Sequence, residues 1–201
     1  MKNTSKVRLI CLTEGALTIA CAYVLELLCV WLNAISGISA LLPFGGTITV
    51  SMLPIIYYSY RRGAKWGIGV GLAYSFLQMA LGFYIPPAKT LIAFVLCILL
   101  DYVIAFTIVG MADIFAKPFG KKRVLGYTVG AVVVCLVRFA SSFFSGVALW
   151  GAYAPEGMNV WIYSLVYNAS YMIPNAILTG ILAAVVCTAL DPNTMKPMKR
   201  A

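Results

Sequence analysis

Apolar runs near or beyond the ~20 residues a helix needs to cross a bilayer's hydrocarbon core follow one another along almost the whole chain, and the charges fall mainly between them. The spans read near Leu9 to Trp31, Ile35 to Tyr60, Ala64 to Tyr84, Leu91 to Phe115, Leu125 to Trp150 and Val160 to Leu190. With 62% apolar residues, 10% charged and a mean hydropathy of +0.94 over 201 residues, the chain cannot cover itself with polar surface in water. The expected class is an all-α integral membrane protein, a single six-helix domain over residues 1–201. A soluble enzyme, a secreted disulfide scaffold and a disordered chain are excluded.

The connections alternate in charge. Lys2, Lys6 and Arg8 precede the first span; Arg61, Arg62 and Lys65 lie between the second and third; Lys117, Lys121, Lys122 and Arg123 lie between the fourth and fifth; Lys196, Lys199 and Arg200 follow the last. These are thirteen of the fifteen basic residues, and the other connections hold only Lys89. By the positive-inside rule both termini are cytoplasmic. The net charge of +9 therefore reports membrane orientation rather than nucleic-acid binding. Lys2, Lys6 and Arg8 before an apolar run resemble a signal peptide, but Glu14 interrupts the run and it continues too far, so it reads as a mature helix.

Several chemistries are closed off. There is no histidine, so neither an imidazole zinc site nor a Ser-His-Asp triad is possible. Cys11, Cys21, Cys29, Cys97, Cys135 and Cys187 lie in apolar runs without C-x-x-C spacing and read as small buried side chains. Gly120-Lys121-Lys122 lacks the phosphate-loop spacing, so the chain cannot hydrolyse ATP, and no inverted repeat of the secondary-transporter kind is evident. A small binder that borrows energy from a partner fits both absences. The Asn-x-Ser/Thr matches at Asn3 and Asn168 are chance.

The second span is irregular: Pro43, Gly45 and Gly46 interrupt it, and Leu42 to Ser51 is either a loop dipping over a pocket or a longer outer connection. Gly63, Gly67 and Gly71 make a small-residue face for close helix packing.

An ionisable residue at membrane depth marks a functional site by default. Asp101, Arg138 and Asn168 fall at similar depth, roughly 12–18 Å below the outer surface at helical rise, and can meet in one pocket. Arg138, Ser141, Ser142 and Ser145 form one helical stripe; Ser164, Asn168, Tyr171 and Asn175 form another. Trp150, Tyr153, Trp161 and Tyr163 crowd the same rim. The bland alternative is an Asp101–Arg138 ion pair with Ser and Asn hydrogen bonds as packing glue. Glu26 lies in the outer half of the first helix, within reach of the pocket; Glu14 reads as snorkelling to the inner surface, and Asp113 as interfacial.

Four segments in order resemble one family. They are Gly45-Gly46-Thr47-Ile48-Thr49 with Ser51-Met52-Leu53-Pro54; Arg61-Arg62-Gly63 with Lys65 and Gly67; Leu99-Leu100-Asp101-Tyr102 with Ala105-Phe106; and Tyr163-Ser164-Leu165-Val166-Tyr167-Asn168 with Tyr171-Met172-Ile173-Pro174. They resemble the thiamin-specific S-components of energy-coupling factor (ECF) vitamin transporters, the ThiT/YuaJ type. The resemblance implies a multi-pass protein of a prokaryotic plasma membrane, six helices, no enzymatic activity, no cofactor or metal, and capture of thiamin at the outer face. It implies partners as well: a transmembrane coupling subunit and two ATPases that drive import. Carried over by position, Asp101 hydrogen-bonds the aminopyrimidine with Tyr102 beside it, Tyr163 and Asn168 hold sixth-helix ligand positions, Trp150 supplies an aromatic wall and Arg138 a basic position. Ala16 and Ala20 match the Ala-x-x-x-Ala surface that docks the coupling subunit. Phe139, Ser142 and Asn175 depart from the family pattern, where Tyr, His and Glu are expected. The remaining alternatives are an S-component for another vitamin, such as riboflavin, and a structural or channel-like six-helix protein.

Overall fold

The structure, a computed structural model, describes residues 4–42, 46–120 and 122–191. Lys2, Asn3, Pro43, Gly45, Lys121, Lys196, Lys199 and Arg200 lie outside the described residues.

Seven helices carry the fold among the described residues: α1 (Thr4–Ile35), the single turn α2 (Ile38–Leu41), α3 (Met52–Arg62), α4 (Ala64–Leu81), α5 (Leu91–Phe119), α6 (Arg123–Leu149) and α7 (Val160–Ala189). Helices suit an apolar chain because each backbone N–H and C=O finds its partner within the segment. Ser5–Ile35, Leu91–Phe119, Arg123–Leu149 and Val160–Ala189 are each long and apolar enough to cross a membrane. Residues 35–60, which hydropathy groups into one segment, are broken: α1 ends at Ile35, residues 46–50 belong to no helix, and α3 starts only at Met52.

Helix α5 is not uniform. It is α-helical to Cys97, π-helical over Ile98–Ile104, α-helical again from Ala105 to Thr107 and 3-10 over Ile108–Met111. Its irregular middle meets α4 backbone to backbone. A Cβ on Gly67 would stand 2.2 Å from the Gly110 carbonyl oxygen, and one on Gly71 2.5 Å from that of Phe106. Gly63 does not share this face, contrary to the spacing argument. It ends α3 instead, with φ 85° and its N–H donating to the Ser59 carbonyl at 2.8 Å.

Side chains tie the charged ends together. Arg61 and Arg62 grip Glu14, with N–O distances of 2.9 and 2.6 Å. Ser59 donates to the Gly110 carbonyl at 2.7 Å and accepts from the Asp113 N–H at 3.2 Å. The Tyr60 hydroxyl reaches the Tyr127 carbonyl, and Arg123 lies 3.4 Å from Asp191. Asp113 pairs with Lys117 at 2.9 Å. The start of α1, the α3–α4 and α5–α6 junctions and the end of α7 thus form one linked set of contacts.

The outer faces are apolar. Ile173, Ile177, Ile181 and Val185 are exposed along one stripe of α7, and α1 exposes Leu9, Leu12, Leu17, Val24 and Leu28. Cys11, Cys97, Cys135 and Cys187 are buried as expected, whereas Cys21 is exposed and Cys29 half-buried; all are free thiols.

Candidate functional site

A cavity of about 990 Å³ lies among α1, α4, α5, α6 and α7. Asp101, Tyr102, Arg138, Trp150, Tyr163 and Asn168, which the sequence singles out from separate segments, all line it.

Asp101 sits in the π-helical turn of α5, a distortion that recurs at functional sites. Consecutive residues of a regular helix point about 100° apart, yet Asp101 and Tyr102 both line the cavity. Three donors converge on one carboxylate oxygen: Ser145 Oγ at 2.6 Å, Trp150 Nε1 at 3.1 Å and the Cys97 thiol at 3.7 Å reach Oδ2. Oδ1 accepts no hydrogen bond among the described residues. The carboxylate is oriented by the protein through one oxygen, and the other remains open to a hydrogen-bond donor. Tyr102 is less free: its hydroxyl accepts from the Tyr84 N–H at 3.0 Å and donates to the Gly82 carbonyl at 3.1 Å. Its ring stacks on Phe83 at 5.4 Å. It walls the cavity and pins the α4–α5 connection.

Arg138 forms no ion pair with Asp101; among the described residues no carboxylate oxygen lies within 4.0 Å of its guanidinium. Nη1 lies 2.9 Å from the Met52 sulfur, a weak acceptor, and the guanidinium carbon stands 4.6 Å over the Phe106 ring. Nε is buried without a partner. The internal-bridge reading is therefore overturned: the guanidinium is held by a thioether and a ring, and leaves donor capacity for an acceptor in the cavity.

The two polar stripes seat α6 on α5 and α7. Ser141 donates to the Leu100 carbonyl and Ser164 to the Phe143 carbonyl, each at 2.7 Å. Asn168 Nδ2 donates to the Ser164 carbonyl at 2.9 Å, and its Oδ1 accepts from the Tyr171 hydroxyl at 3.1 Å. Its amide is thus oriented, with one lone pair on Oδ1 still open. Gly146 makes this possible: a Cβ there would lie 2.1 Å from Ser164 Oγ. Trp150 stacks with Tyr153 at 6.1 Å and Tyr163 with Tyr167 at 6.0 Å, so the rim is two stacked aromatic pairs. Trp161 is not part of it; it packs on Phe143 at 5.8 Å and is exposed.

The non-helical segment 46–50 is fastened by side chains. Asn33 donates to the Ile48 carbonyl at 2.8 Å and accepts from its N–H at 3.3 Å. Asn175 does the same for the next pair, accepting from the Thr49 N–H at 2.8 Å and donating to the Thr47 carbonyl at 3.1 Å. Thr49 also donates its hydroxyl to Glu26 Oε2 at 3.0 Å. Gly46, at φ 104°, leaves room for the Tyr171 ring, which a Cβ would approach to 2.6 Å. Of the two readings of this stretch, the structure agrees with a loop held against the pocket, and Thr47 lines it.

Sequence reasoning centred on the last three helices missed the wall contributed by α1 and α4: Tyr23, Gln78 and Tyr84 line the cavity. Each is an ordinary residue on an apolar helix or its exit, and only Tyr23, one turn before Glu26, offered a signal. Ser142 lines the cavity where the family pattern has His; Phe139 stacks on Phe143 at 6.4 Å instead. Ala16 and Ala20 are both exposed on α1, away from the cavity.

The family model described as "Thiamine transporter protein (Thia_YuaJ)" matches residues 12–194. The chain is 35% identical over 191 residues to the thiamine transporter ThiT of Bacillus subtilis, covering 90% of this chain and 91% of that one. It is 28% identical over 166 residues to ThiT of Lacticaseibacillus paracasei, 76% of each chain. A solved structure of ThiT from Listeria monocytogenes superposes with a TM-score of 0.68 at 23% identity, covering 89% of this chain and 93% of that one; this last likeness concerns the fold.

Proposed function

The chain belongs to the thiamine transporter protein family, a family of multi-pass bacterial plasma-membrane transporters rather than enzymes, and from that premise we propose that it is the thiamin-capturing S-component of an ECF importer. It binds thiamin at the extracellular side and hands it inward when a transmembrane coupling subunit and two ATPases reorient it. The observation that carries this reading is the convergence of six residues from three separate stretches of the chain on one cavity of about 990 Å³.

In the cavity, Asp101 offers its unoccupied Oδ1 to the aminopyrimidine's N–H donors, and Asn168 offers the open lone pair of Oδ1. The thiazolium is a permanent cation, and the Trp150 and Tyr163 rings supply faces for it. Arg138 addresses the hydroxyethyl end with donors that the protein leaves unfilled, and Tyr102 closes the wall. Thiamin is cargo, and the protein needs no cofactor or metal. Ala16 and Ala20 form the docking face, where small side chains let a partner helix approach closely.

The membrane arrangement in this proposal is a single domain over residues 1–201 with six spans and both termini cytoplasmic. Its support is the linked set of contacts at the charged ends: Glu14 meets Arg61 and Arg62, and Arg123 meets Asp191, so the basic connections adjoin at one end of the bundle. The broken second segment supplies one span, with α3 as its helical part.

The test is thiamin titration of the detergent-purified chain, followed by tryptophan fluorescence, beside Asp101→Asn. Saturable quenching that weakens at least about tenfold, roughly 1.4 kcal/mol, in a still-folded variant is expected. A well-folded wild type that ignores thiamin would sink the reading and favour another vitamin.

A further inference from the structure

Among the described residues, two carboxylates and one guanidinium are the charged side chains lining the cavity: Glu26, Asp101 and Arg138. The two carboxylates differ in how far the protein compensates them. Asp101 takes hydrogen bonds from Ser145, Trp150 and Cys97. Glu26 takes one, from the Thr49 hydroxyl at 3.0 Å, and no cation lies within 4.0 Å of it among the described residues. A carboxylate in an apolar helix with a single neutral donor is costly unless something positive comes to it.

We propose that Glu26 is a specificity-determining residue of this site: the counter-ion for the ligand's fixed positive charge. The inference rests on the thiamin reading above. Formally the cavity lining is at −1, which a monocation neutralises. Tyr23 lines the same wall one turn earlier on α1, so a ring and a carboxylate stand together, the pairing that suits an organic cation. Glu26 also latches segment 46–50 through Thr49, whose hydroxyl accepts in turn from the Ser51 N–H at 3.1 Å. Charge recognition and the seating of that segment thus share one side chain.

The experiment compares affinities for thiamin and for a neutral isostere, in which an uncharged ring replaces the thiazolium, across wild type, Glu26→Gln and Glu26→Asp. Glutamine can still accept from Thr49 but carries no charge; aspartate keeps the charge on a shorter arm. For Glu26→Gln, thiamin affinity should fall at least about tenfold while the isostere changes less than about twofold. Glu26→Asp should keep the wild-type preference for the cation to within about threefold, which tests the idea even if the glutamine variant does not fold. Equal losses for both ligands, or an unchanged thiamin affinity in Glu26→Gln, would overturn the counter-ion role while leaving thiamin capture intact. A wild type that does not bind thiamin would instead defeat the underlying reading.

Discussion

Asn175 on α7 holds Thr49 by its backbone: Oδ1 accepts the Thr49 N–H at 2.8 Å while Nδ2 donates to the Thr47 carbonyl two residues earlier. One amide thereby satisfies two backbone groups of a segment that belongs to no helix. Replacing it with Ala strands a buried N–H and leaves the Thr47 carbonyl without this partner. The expected cost is roughly 1–3 kcal/mol, with thiamin binding weakened because Thr47 lines the cavity. Asn175→Asp keeps the acceptor and should fall between the two. Thermal unfolding in detergent, with and without thiamin, reads both effects; an Ala variant as stable as wild type would mean the clamp is idle.

Asp101 and Arg138 should behave as independent residues. Since no ion pair joins them among the described residues, the stability losses in Asp101→Asn and Arg138→Gln should add to within about 0.5 kcal/mol in the double variant. A coupling above about 1 kcal/mol would restore the internal-bridge reading.

Ser145 orients Asp101 without itself lining the cavity. Ser145→Ala removes the 2.6 Å hydrogen bond but leaves that of Trp150. A charge-assisted bond of this kind contributes about 1.5–3 kcal/mol, of which a part should appear as a several-fold loss of thiamin affinity by titration. Ser145→Thr, which keeps the hydroxyl, should recover most of it; a threonine variant as weak as alanine would argue against the aiming role.

Gly67 and Gly71 tolerate no side chain. A Cβ at either would collide with backbone carbonyls of α5 at 2.2 and 2.5 Å, and backbone cannot yield as a flexible side chain does. Gly67→Ala should cost upward of about 3 kcal/mol or abolish folding. Gly69, with open space around its would-be Cβ, is the control and should accept Ala without loss.

Glu14 fastens α1 to the α3–α4 junction. Its partners are about three-quarters buried, so Glu14→Gln should cost about 1–2 kcal/mol, between the limits for exposed and buried pairs. The effects of Arg61→Ala and Arg62→Ala should shrink in the Glu14→Gln background. Full additivity in that double-variant cycle would show that the clamp contributes nothing.

Much of the site was legible in the sequence because membrane depth makes polarity conspicuous. Asp101, Arg138 and Asn168 stand out against apolar helices, and helical period places their serine neighbours on the same stripes. What the sequence could not carry is the partner of each polar atom. Arg138 looked like the mate of Asp101, yet one carboxylate oxygen is held by Ser145 and Trp150, while the guanidinium rests on Met52 and Phe106. Glu14 looked solitary because its arginines are nearly fifty residues away in sequence.

The sequence by itself determined the class and the helices: apolar runs of bilayer length have only helical solutions where no water can satisfy the backbone, and four ordered motifs carried the family. Only the tertiary structure decided the π-helical turn under Asp101, the break before α3, the two Asn clamps on residues 47–49 and the place of Tyr23 beside Glu26 in the cavity wall. These depend on contacts between segments far apart in the chain, and hydropathy and period, being local, are blind to which distant backbone an amide or carboxylate will meet.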